Sequence, residues 1–357
     1  DDGEGCTLSE TQGSRIATIK KGNQKMSYTV KNKKVTKVKK VKAKSNSEKI
    51  STFSKFFNKS VKSYKERTGR LPWQRGWHIT DNTPWFNHVN AVNNKVYGYF
   101  MNQIILSMSA EENGFTSNKW ISKGNIQKNN GTWKGSATWV FGWFFWEEDM
   151  KDKDGKTLKD EKGKIKKRSG FNFRTFPVWN VDQCSNLPEK LASEEVQAVE
   201  YTPLEGRLDI AEEYISNIGA KVEFGKNGAY YKPSMDYIGM PNFEQFKTPE
   251  NYYSTYVHEL VHWTKTKDRC DRADNHKTRK AYAFEELIAE IGAVHVMNNL
   301  GIQMDQDAFD NHLAYVDSWL GALDDDTTFL VDACMQAEKA VKFLNSFQDK
   351  EELKKVA

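Results

Sequence analysis

Five consecutive residues, His258-Glu259-Leu260-Val261-His262, place two imidazoles four positions apart inside a helical pattern. That spacing puts both rings on one helix face, one turn apart, where they can point at a single ion. Glu259 lies about 100° around the helix, close enough to handle a water molecule without ligating the ion itself. Twenty-four residues past His262, the run Phe284-Glu285-Glu286-Leu287-Ile288-Ala289-Glu290 stacks two further carboxylates, Glu286 and Glu290, on one apolar face. Carboxylates on such a face are costly to bury without a cation. Two histidines and a downstream glutamate compose a His₂Glu zinc site with one position left open. Glu286 is the expected third ligand, and Glu290 then orients a ligand histidine; Glu285 and the swapped pair remain alternatives. The chemistry of such a set is hydrolysis assisted by a bound Zn²⁺, with Glu259 passing a proton from water to a leaving amine. Tyr282, one turn before Glu286, is the expected electrophile, whereas His295 and His276 read as structural and solvated residues.

A second constellation lies nearer the N-terminus. Nine of the eleven Trp fall between Trp73 and Trp179, interleaved with Lys, Arg and Asn. Bases stack on aromatic faces while cations follow phosphates, which is how single strands are held without sequence readout. On that ground Trp73, Arg75, Trp77, Tyr97, Tyr99, Asn102, Lys119 and Trp120 are candidate single-stranded-DNA contacts. Aromatics in a small domain are more often core, and most of these Trp are expected inside it.

The elements that must position these groups follow from pattern. Residues 48–70 space Ile50, Phe53, Phe57, Val61 and Tyr64 at three and four, an amphipathic helix closed by Pro72. Strands are expected at 137–145 and 171–181, joined across a charged loop or hairpin at 147–170. Further on, a helix at 208–217 and strands near 222–224 and 229–231 precede helical patterns at 250–267, 279–300, 306–323 and 327–347. The segment around 228–241 reads either as a substrate-pairing edge strand or as a plain core hairpin. The fold class is therefore α+β: a basic disordered tail at 1–47, an α+β domain at 48–188, a linker at 189–206 and a helix-rich domain with a small sheet at 207–357.

Composition narrows the classes. The chain has 357 residues and a net charge of +5. Residues 1–50 hold 13 Lys+Arg against 5 Asp+Glu, residues 51–185 hold 22 against 12, and residues 186–357 hold 18 against 31. A basic front and an acidic back suggest different partners, the front one a polyanion. No stretch reaches the roughly 20 apolar residues of a membrane span. The chain begins without methionine, so it is read as processed, trimmed or cut for expression, and it shows no apolar core that could serve as a secretory signal. Four dispersed Cys without a C-x-x-C pair predict free thiols in a reducing compartment. No Gly-rich phosphate loop follows a strand, so no nucleotide-binding fold is expected.

Together these segments resemble the ArdC-type antirestriction proteins of plasmids and phages. The matching pieces are residues 50–77 ending in PWQRGW, 96–106 with 114–122, Lys134-Gly135, FRTFPVWNVDQCSNLP, GAYYKPSMDYIGMP, YYSTYVHELVHWT, YAFEELIAEIGA and the segment 312–344. The resemblance spans residues 48–347 in family order and implies an N-terminal single-stranded-DNA-binding domain, to whose contacts it adds Lys134. It also implies a C-terminal zincin-like (gluzincin-type) metallopeptidase domain, with His258, His262 and a glutamate of the EELIAE segment on the metal. The implied role is protection of incoming DNA from host restriction in the bacterial cytoplasm, with a host restriction component as one protein substrate. The basic tail at 1–47 and the charged insert at 147–170 depart from the family pattern, and a phage protein carried in the virion is one setting for them. Two other classes compete: a metallopeptidase whose basic domain recognises proteins, and a binding protein in which the metal only staples the fold.

Overall fold

The computed structural model describes residues 6–11, 14–21, 24–31, 45–74, 87–192, 205–272, 278–302, 326 and 328–348, with side chains from residue 45 onward. Residues 1–44 and 45–357 are two separate compact units. In the first, strands β1 (Cys6–Thr11), β2 (Ser14–Lys21) and β3 (Gln24–Lys31) pair antiparallel in that order, Thr11 opposite Ser14 and Lys21 opposite Gln24. Composition suggests a disordered tail here, and the backbone is instead a three-stranded meander. Three runs holding β-branched residues, separated by Gln12-Gly13 and Gly22-Asn23, carry a hairpin signal that overall polarity hides. The basic run at 35–44 lies outside the described residues.

In the second unit, α1 (Asn46–Thr68) begins with a capping box. The Ser45 side chain accepts from Glu48 N–H at 3.2 Å and Glu48 accepts from Ser45 N–H at 2.7 Å. It ends at Gly69, whose φ of +77° is open to glycine at little cost. The Ile50–Tyr64 stripe faces inward as its period requires, with Phe53 against Phe141 and Phe173. A four-stranded sheet takes the order β4-β5-β8-β7, from β4 (Val89–Asn90), β5 (Lys119–Ser122), β7 (Thr138–Asp149) and β8 (Lys167–Asn180). A second helix, α2 (Phe100–Asn113), lies nearly all inside the protein. Beside the sheet are α3 (Lys123–Lys128) and a small ladder of β6 (Thr132–Trp133) with β9 (Cys184–Ser185). The β7–β8 hairpin runs on in register to Asp149 opposite Lys167, well into the charged segment. There Asp152 and Asp160 each close a tight turn with their own side chains.

The remaining elements are α4 (Asp209–Ile218), a sheet of order β10-β12-β11, and three long helices. The strands are β10 (Val222–Glu223), β11 (Tyr230–Lys232) and β12 (Tyr237–Gly239). The helices are α5 (Pro249–Trp263), α6 (Arg279–Asn299) and α7 (Phe329–Asn345). The helix expected at 306–323 lies outside the described residues, as do residues 193–204 of the expected linker. One hydrophobic cluster runs from Phe53 of α1 through α2, α5 and α6 to Leu344 of α7. Across it Phe100 of α2 stacks on His295 of α6 at 4.6 Å, and Lys342 of α7 sits 5.9 Å over the Tyr99 ring.

Candidate metal centre

Helix α5 starts where Thr248 accepts from Asn251 N–H at 3.2 Å, with Pro249 at the first helical position. Helix α6 starts in the same way, Thr278 accepting from Ala281 N–H at 3.1 Å. The two meet closely at Gly292, where an added Cβ would stand 2.8 Å from a methyl of Val261. Val261 sits between the two histidines in sequence, so this contact sets how near α6 comes to the imidazoles.

At that distance the ligand atoms of His258, His262 and Glu286 all lie within 4.8 Å of one another. The two Nε2 atoms are 3.1 Å apart, and the Glu286 oxygens stand 3.5 Å from His258 Nε2 and 3.6 Å from His262 Nε2. On its other side, His262 Nδ1 is 3.1 Å from Glu285 Oε1. A carboxylate accepts at that nitrogen, so the neutral ring carries its proton on Nδ1 and keeps the Nε2 lone pair facing inward. Glu285 is itself gripped by Arg272, with Nε at 3.0 Å and Nη2 at 2.7 Å. The same guanidinium donates to Thr264 Oγ1 and to the Val261 carbonyl, tying the end of α5 to α6. The carboxylate orienting His262 is thus Glu285, where the sequence pattern pointed to Glu290.

Charge explains why a cation belongs here. Burial alone would raise the Glu285 and Glu286 carboxyls, but their partners outweigh it. The His262 hydrogen bond and Arg272 bring Glu285 to about 2, and His258, the His262 charge and Tyr282 bring Glu286 to about 2. Burial also disfavours the His262 imidazolium, yet the Glu285 bond and the charges of Glu259, Glu285 and Glu286 raise it overall. Glu290, buried beside Glu286, is pushed up to about 8, first by burial and then by its neighbour's charge. With Glu290 kept neutral by burial, the charges of Glu259, Glu285 and Glu286 still exceed the one Arg272 guanidinium, and two imidazoles plus one carboxylate are a zinc-type donor set. The residues fit a divalent cation. Tyr282, expected as an electrophile, lies near enough to Glu286 to favour its charged form. Among the described residues, strand β11 is the edge of its sheet, pairing with β12.

Residues 52–179 match the family described as the N-terminal domain of anti-restriction factor ArdC, and residues 209–336 match the zincin-like metallopeptidase family. Two structures of the antirestriction protein ArdC from plasmid R388 share this fold, one Mn(II)-bound with a TM-score of 0.63 and one metal-free at 0.61. Each is 28% identical, and the match covers 82% of this chain and 97% of theirs. The chain is an ArdC-type protein. A DNA primase TraC of Escherichia coli is 32% identical over 80% of this chain, which spans 26% of that relative's length. An uncharacterised protein, y4eC, of Sinorhizobium fredii is 27% identical over 78% of this chain and 86% of its own length.

The ArdC-type fold places the expected DNA contacts differently from the sequence reading. Trp73 and Trp120 are 2% and 0% exposed, and Asn102 and Lys119 are buried as well. No base can stack on a ring inside the core, so Trp73 and Trp120 are core residues, and the buried Asn102 and Lys119 side chains offer a strand no open surface. Trp120 donates to His88 Nδ1 at 3.0 Å. The Asn102 amide extends the ladder at the free edge of β7, donating to the Phe141 carbonyl at 2.9 Å and accepting its N–H at 3.0 Å. Tyr97 and Tyr99 are half-buried, Tyr99 stacked on Phe141, and Lys134 is exposed. Arg75 and Trp77 lie outside the described residues. Sequence reasoning missed Arg272, which has no motif spacing to reveal it, and the exposed aromatics Phe56, Trp139, Phe144 and Phe145.

Proposed function

We propose that this ArdC-type chain holds single-stranded DNA with its front half, carries a zinc metallopeptidase site in its back half, and protects incoming phage or plasmid DNA in a host. The observation that carries the enzymatic part is the convergence of His258, His262 and Glu286, backed by the Glu285–Arg272 pair. A divalent cation held there supplies Lewis acidity and makes water a nucleophile near neutral pH. Glu259 is close enough for its charge to act on His262, and it serves as general base toward water and then as acid toward the leaving amine. Glu285 fixes the tautomer of His262, and Tyr282 favours the charged form of Glu286. The family and the net positive charge of the front segment support the DNA part.

Metal analysis of the purified chain tests the site: one zinc per chain is expected, lost in His258→Ala. Glu259→Gln is expected to keep the metal and lose both peptide hydrolysis and protection of transferred DNA. Protection that survives in Glu259→Gln assigns the metal a structural role instead. Binding of the whole chain to a labelled single strand is expected to weaken linearly on a log–log salt scale.

A further inference from the structure

Helix α1 carries a stripe that its core-facing residues do not explain. Phe56 stands beside Phe57 but points the other way, 45% exposed, in line with Lys59, Ser60, Ser63 and Arg67. Across from this stripe, Trp139 at the start of β7 is 47% exposed. Between them lies a groove of about 430 Å³, floored by Tyr64, Ile105 and Met108, with Ser109 and Thr138 on its far wall and Glu112 at its rim. That volume is in the range of small-molecule sites. Exposed rings on both walls of one groove offer faces on which flat groups can stack. The Arg67 guanidinium lies 5.4 Å from the Tyr64 ring centre, poised at the groove's end, and neither Lys59 nor Arg67 is in an ion pair among the described residues. From Phe56 to Arg67 the helix advances about 16 Å, enough to follow more than one nucleotide.

We propose that this α1–β7 groove is where single-stranded DNA is held, with bases stacking on Phe56 and Trp139 and phosphates facing Lys59 and Arg67. The proposal rests on the single-strand reading above. Aromatic faces paired with unneutralised cations suit a π-rich polyanion, whereas an acidic peptide would leave the rings without a partner. The exposed rings along the β7–β8 strands, Phe144 and Phe145, are the rival surface. Lys167 and Arg168 there are paired with Glu147 and Glu148, while Arg174 lies over the Phe144 ring, but among the described residues no comparable groove runs between these rings.

The test is fluorescence anisotropy of the full chain with a fluorescein-labelled oligothymidylate. Phe56→Ala and Trp139→Ala are each expected to weaken binding roughly ten-fold. Lys59→Ala and Arg67→Ala are each expected to lower the salt slope by about 0.7. All four side chains are at the surface, so unchanged circular-dichroism melts confirm the fold. Phe145→Ala, on the hairpin, is expected to bind like the parent chain. If the parent chain binds and the groove variants bind equally well, the groove is wrong and the single-strand reading stands. If Phe145→Ala alone loses binding, the hairpin replaces the groove. A parent chain that ignores the oligonucleotide, or prefers polyglutamate, removes both the reading and the groove.

Discussion

At His262 both ring nitrogens are committed: Nδ1 to Glu285, and Nε2 toward His258 and Glu286. The motif showed which imidazoles meet, and the contact of Glu285, held by Arg272, with Nδ1 of His262 shows which tautomer that ring uses. Glu285, Glu286 and Glu290 were all visible as candidates, but their roles depend on which oxygen reaches which partner. That is a matter of fractions of a helix turn. His88 shows the same dependence in the front half. Trp120 Nε1 can only donate, so His88 Nδ1 accepts and its Nε2–H donates to Ser107 Oγ at 3.0 Å. Burial pulls its pKa down to about 3, the Asn118 backbone opposing slightly. The unfolded chain takes up this proton below about 6.5 while the folded chain waits until about 3. His88 therefore favours folding fully above pH 6.5 and loses that contribution as pH falls toward 3, by about 1.4 kcal/mol per unit. Denaturant unfolding at pH 7 and pH 5 should show the stability gap between the parent chain and His88→Gln shrinking at the lower pH. An equal gap at both would refute the neutral buried ring.

At the scale of elements, helices with a polar side were readable and the buried one was not. The α1 stripe alternates with lysines at helical spacing, so its period is plain. Helix α2 buries Phe100 through Met108 without a break, leaving no polar face to give a phase. The three strands of residues 6–31 went unread because mean polarity outweighed their period. Among the small residues Ala289, Gly292 and Ala293 of α6, Gly292 is the point at which α5 comes closest. Gly292→Ala should therefore push against Val261, a side chain with little rotamer freedom. The expected cost is roughly 1–3 kcal/mol, as for other overpacked cores. A lower melting temperature together with weaker metal retention is the expected pair of results. An unchanged melt would show that α6 can shift without cost.

Over the whole molecule, the charge split separates a basic front from an acidic back, yet residues 45–357 pack as one compact unit. Phe53, Phe100 and Phe141 share a cluster with Leu287, Val331 and Leu344, so the halves lean on one core. Residues 207–357 produced alone should expose the apolar surface that α1 and α2 cover. They are expected to aggregate or bind a hydrophobic dye, whereas a sharp, independent melt would show that each half stands by itself. Among the described residues, no helix is long and apolar enough to cross a membrane.

The sequence by itself determined the α+β class, the order of most elements and the pair of histidines, because helical period and H-E-x-x-H spacing are local properties. It could not show Arg272 behind Glu285, the burial of Trp73 and Trp120, or the Phe56–Trp139 groove. Those depend on residues from 13 to more than 80 positions apart meeting in space, and only tertiary packing decides which side of a helix or sheet meets water.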